Sequence, residues 1–96
     1  MIYLTMTKIK GTREYGDVAV NASNMSEAKR FVIQEVVKVV KEHPSGIPLR
    51  PEHVMVTSIE RYGEGKLYDR EAYDDEFWSM FKNLQTGEAL VWDWGT

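Results

Sequence analysis

The chain contains no cysteine. That excludes a disulfide framework and a thiolate zinc site, and it leans towards a reducing compartment. Proline is scarce, and its three occurrences all fall between Pro44 and Pro51, so the remainder is open to regular secondary structure. No apolar run approaches the roughly 20 residues needed to cross a bilayer. The start, Met1 to Lys8, has neither the charged region nor the long apolar stretch of a signal peptide. A cytoplasmic protein with no membrane association is the expectation.

Chemical motifs are missing too. There is no nucleophile elbow, no glycine loop that would cradle a phosphate after a strand, and no serine–histidine–acid pattern. Gly63-Glu64-Gly65 is a lone glycine pair in a turn. The two histidines occur as Glu42-His43 and Glu52-His53, without the spacing of a ligand set. His43 is expected to complement a helix dipole and His53 to begin a strand. Asp74-Asp75-Glu76 fits the start of a helix better than an acid–base dyad. The expectation is a non-enzymatic protein with no metal and no cofactor.

What is present is enough for one domain over residues 1–96. A chain of this length buries roughly 60–70% of its unfolded surface. A hydrophobic fraction of 43%, with three Trp, five Tyr and three Phe, supplies a core without staples. The net charge of −3 is unevenly spread, with +3 on residues 1–50 and −6 on residues 51–96. Neither value marks a nucleic-acid binder.

Along the chain, Ile2, Leu4 and Met6 alternate with Tyr3, Thr5 and Thr7, the period of a strand with one buried face. Gly11 to Gly16 reads as a hairpin loop and Asp17 to Asn21 as the returning strand, with Val18 and Val20 on one face. The longest periodic segment runs from Asn24 to His43. Asn24 and Glu27 fit a capping box, and Met25, Ala28, Val32, Ile33, Val36, Val37, Val39 and Val40 fill an apolar arc about half the circumference wide. Phe31 falls off that arc, and Pro44 stops the helix.

His53 to Tyr62 reads as a third strand whose two phases, Val54 with Val56 and Met55 with Ile59, imply a bulge near Thr57-Ser58. Lys66-Leu67-Tyr68 suggests a short further strand. A second helix opens at Asp74-Asp75-Glu76, carries Phe77, Met80, Phe81 and Leu84 at helical spacing, and ends near Gly87. The closing edge strand, Ala89 to Trp94, places Leu90, Trp92 and Trp94 on one face. The order ββαβ(β)αβ predicts an α+β fold, a small antiparallel sheet of three to five strands with a long and a short helix covering one face. The other face would be partly solvated or open to a partner.

The most distinctive stretch is Tyr68 to Trp78, with five acids against one arginine, interleaved with aromatics. Tyr and Trp dominate interface hot spots, and acids around them steer a basic surface. Tyr68, Tyr73, Asp74, Asp75, Glu76 and Trp78, with Trp92 and Trp94, are therefore the candidate contact residues for another protein with a basic surface. The competing reading gives those aromatics to the core. The alternatives are a self-associating structural homodimer using the tail strand, and a nucleic-acid mimic or weak binder. For the last, Lys8, Lys10 and Arg13 surround the hairpin tip, with Tyr3 and Tyr15 available to stack. Mixed charge on the helix makes nucleic acid the poorer partner.

In size, and in its order of hairpin, capped helix (Asn24 to Ala28) and further strand, the chain resembles the short stand-alone proteins that phages and plasmids encode to inhibit or redirect a host machine. No specific motif carries the resemblance, and it transfers no functional residue.

Overall fold

The computed structural model describes residues 1–62 and 75–95, with side chains described at all of these except 75–78. The elements run β1 (Ile2–Ile9), β2 (Tyr15–Asn21), α1 (Met25–Val40), a 3-10 turn (Pro51–His53), β3 (Val54–Arg61), α2 (Asp75–Lys82) and β4 (Ala89–Gly95). Four strands make one antiparallel sheet in the order β3-β1-β2-β4. The fold is thus α+β with one long and one short helix, as the patterning predicts. The expected strand at Lys66-Leu67-Tyr68 lies outside the described residues.

Asn24 caps α1, its Oδ1 accepting from the Glu27 N–H at 2.8 Å. The Glu27 carboxylate reaches back to the Ser23 N–H at 3.1 Å, one residue earlier than a capping box requires. The helix is shorter than expected. It ends at Val40, because Lys41 turns into the left-handed region (φ 65°) and its N–H bonds the Val37 carbonyl. The chain then doubles back, with the Leu49 N–H bonding the Lys41 carbonyl at 3.0 Å and Leu49 buried against the core. His43 consequently lies in the turn beyond the helix.

The buried stripe of α1 is Ala28, Val32 and Val36, flanked by half-buried Phe31, Ile33, Val37 and Val40. Met25 and Val39, expected in the same arc, are about half exposed. Phe31 extends the core, and the Arg30 guanidinium sits over its ring at 5.2 Å.

The alternation in β1 resolves differently from the simple expectation. Tyr3, Thr5, Thr7 and Ile9 face α1 and are buried, whereas Leu4 is buried on the opposite face. Two buried threonines are tolerated there because each hydroxyl donates across to β2, Thr5 to the Val18 carbonyl at 2.8 Å and Thr7 to the Gly16 carbonyl at 3.2 Å. Tyr3, which the sequence offers for base stacking, is only 4% exposed and belongs to the core.

The helices do not share one face of the sheet. Leu4, Ala19 and Phe81 form a second cluster with Ile2, Leu84, Leu90 and Trp92 packed on it, so α2 covers part of the face opposite α1. Phe81 provides the anchor, while Met80 points outward and Leu84 lies past the helix end. Asn21 ties the following turn to β2, its Nδ2 donating to the Leu84 carbonyl at 2.8 Å and its carbonyl accepting from the Gly87 N–H at 2.8 Å.

Each outer strand carries a bulge. On β3, Met6 pairs with Ser58 and Thr7 with Val56, leaving Thr57 as the extra residue, its hydroxyl donating to the Met6 carbonyl at 3.2 Å. This is the bulge the phase change implied, and it lets Val54, Val56 and Ile59 all face α1. On β4, Asp17 pairs with Asp93 and Val18 with Val91, leaving Trp92 extra. Trp92 therefore packs towards Phe81, with ring centroids 5.8 Å apart, while Trp94 packs on the α1 side. The expectation of Leu90, Trp92 and Trp94 on one face fails at this bulge.

Candidate partner-binding site

Of the predicted contact residues, Tyr68, Tyr73 and Asp74 lie outside the described residues. Asp75, Glu76 and Trp78 fall in the first turn of α2, where the backbone alone is described. Trp92 and Trp94 are separated by the sheet itself, so one flat contact can use either indole but not both.

Trp94 has a defined seat. It lies opposite Gly16 of β2, and a Cβ on Gly16 would collide with the Trp94 ring and the Asp93 carbonyl oxygen. The hairpin-closing role expected of Gly16 is replaced by a place inside a strand, where glycine marks a close approach of other atoms. The indole borders a groove of about 560 Å³ at the C-terminal end of α1. Its other walls include Glu14 from the hairpin, Val39 and Val40 from the helix, and Glu42 and His43 from the turn beyond.

The electrostatics of this groove are one-sided. Glu14 and Glu42 both line it. Glu14 Oε2 is buried without a hydrogen-bond partner, and neither carboxylate is paired with a cation among the described residues. A buried acceptor left unmatched costs about 1–3 kcal/mol, and the groove as a whole carries negative charge that no described cation balances.

The histidines meet in space. The His43 and His53 rings are 5.0 Å apart, and each Nδ1 accepts a backbone N–H, from Ser45 at 3.1 Å and from Arg50 at 3.0 Å. In a neutral ring with Nδ1 as acceptor, the proton sits on Nε2. Binding a metal through Nε2 would therefore require moving a proton onto Nδ1, against an N–H donor. His43 Nδ1 is also 2.8 Å from Ser45 Oγ, and both contacts lie within the turn closed by the His43 N–H donating to the Ile47 carbonyl at 2.8 Å. Among the described residues no cluster of three or more metal-ligating side chains occurs, and no helix is long and apolar enough to cross a membrane.

A second concavity of about 460 Å³ lies on the opposite side of the hairpin, lined by Met6, Tyr15 and Thr57 among others, with Lys8 and Arg13 beside Glu14, which borders both concavities.

Sequence reasoning named Trp94 but missed Glu14, Glu42 and His43 as its neighbours. They come from two segments distant from β4, the hairpin and the turn after α1, and only the glycine inside β2 hinted that something packs there. Compared with known proteins, the chain matches no family model, no curated protein and no solved structure.

Proposed function

We propose that the protein acts in the cytoplasm by binding another protein with a basic surface, without catalysing a reaction. The observation that carries this reading is the Trp94 groove, in which an indole is held beside two carboxylates that no described cation neutralises. Aromatic anchors supply affinity, and acids around them select a positively charged partner. The acidic-aromatic stretch from Tyr68 to Trp78 adds the same chemistry in sequence. In its finer form, the binding inhibits or redirects the partner, following the resemblance in size and element order to small phage- and plasmid-encoded proteins.

The test is a comparative pull-down from cell lysate, read by mass spectrometry. Wild type is expected to retain a basic protein that Asp74→Lys with Asp75→Lys, or Trp94→Ala, releases. A partner held equally by all three proteins would sink the reading. Light scattering on the purified chain checks the homodimer alternative, because mass that rises with concentration would redirect the argument to self-association.

A further inference from the structure

We infer that the groove beside Trp94 is an anchor site for one arginine side chain of the protein partner. This rests on the partner-binding reading above and names the group that its described part recognises.

Three features select arginine. The first is the indole, which Gly16 allows to lie against the β2 backbone, so its position is set before any ligand arrives. A fixed aromatic surface suits a planar cation, and guanidinium stacks on it with little loss of hydration. The chain already makes one such contact internally, with Arg30 over Phe31 at 5.2 Å.

The second feature is the pair of acids, Glu14 and Glu42. Guanidinium carries five N–H donors in a fork that matches carboxylate oxygens, whereas an ammonium acts as a compact, strongly hydrated charge. Neither carboxylate is matched with a cation among the described residues, and an arriving guanidinium supplies the positive charge. The third feature is the aliphatic wall. Val39 is 50% exposed on a helix whose Val32 and Val36 are fully buried, and it lines the groove together with half-buried Val40. The methylene stem of an arginine covers such a surface while its head group stays with the acids. The exposure of Val39, unexplained by the core, then has a purpose.

The experiment uses the full chain and three probes, the capped tripeptides Gly-Arg-Gly, Gly-Lys-Gly and Gly-citrulline-Gly, titrated in ¹H–¹⁵N spectra. Arginine is expected to move the Trp94 indole N–H and the amides of Glu42 and His43 in a saturable way. Citrulline, which keeps the shape without the charge, should bind at least about tenfold more weakly, a difference of about 1.4 kcal/mol, and lysine should fall between. Glu42→Gln, at an exposed position, should weaken arginine binding several-fold with an unchanged melting temperature, and Glu14→Gln should do the same if it folds. Equal responses to arginine and citrulline, indifference to Glu42→Gln, or shifts confined to α2 would overturn the assignment. If the peptides fail while the pull-down partner is still released by the Asp74 and Asp75 changes, the partner reading stands and the groove assignment alone falls. If arginine binds but no lysate protein is retained selectively, the groove chemistry stands and the partner reading falls.

Discussion

Gly16 is a position at which β2 lies close against β4. With no side chain there, the Trp94 ring and the Asp93 carbonyl occupy the space a Cβ would need. One of those two obstacles is backbone, so relief by a rotamer change is limited. Gly16→Ala is expected to cost about 2 kcal/mol, within the range for overpacking, and to lower the melting temperature by roughly 10 °C. Thermal melts and tryptophan emission check this, and an unchanged melt would mean that the indole is held elsewhere. Thr5 and Thr7 make a related point. Each hydroxyl is buried, and each is satisfied by a β2 carbonyl. A polar residue in an alternating strand therefore need not face water when its neighbour strand offers an acceptor.

Among the elements, α1 separates structural from exposed valines most clearly. Val36 is fully buried, whereas Val39 is half exposed on the same helix. Val36→Ala should cost about 2 kcal/mol through lost burial and an unfilled cavity, while Val39→Ala should stay within about 0.5 kcal/mol. Urea denaturation distinguishes them, and equal costs would mean the helix is rotated from the described packing. The hairpin, the Asn24 cap, the long helix and the Thr57 bulge were all legible from periodicity and local chemistry. The inward face of β1 was not, because apolar residues point to both sides of a sheet covered on both sides. Nor was the split between Trp92 and Trp94, since an inserted residue in β4 leaves no pattern in six residues. The groove was invisible for another reason: its acids and its indole are brought together only by strand register and by the reversal after Lys41.

Across the whole molecule, the sheet is covered unequally. The 16-residue α1 lies along one face, and the 8-residue α2 covers part of the other. Beyond α2 the second face leaves Tyr15 and Met55 exposed at 55% and 40%. The two concavities flank the β1–β2 hairpin and share Glu14, which is joined by Glu42 in one and by Lys8 and Arg13 in the other. This local polarity is finer than the division between the two halves of the sequence. A net charge of −3 gives little long-range steering, so selectivity in the proposed binding falls to short-range contacts, which salt screens less when they are partly buried.

The bulges also bear on what happens when copies of the chain crowd together. Among the described residues, β3 and β4 are the outermost strands. A straight outer strand displays unpaired N–H and C=O groups that can template growth of a fibril, and a bulge bends that template out of line. Removing Thr57 would restore uninterrupted pairing of Ser58 with Met6 and Val56 with Thr7 while keeping Val54, Val56 and Ile59 facing α1. The deletion variant is expected to fold, yet to form thioflavin-positive aggregates sooner than wild type in concentrated, agitated samples. Identical lag times would show that the irregularity protects nothing. On this view, the extra threonine contributes less to the folded monomer than to keeping monomers apart.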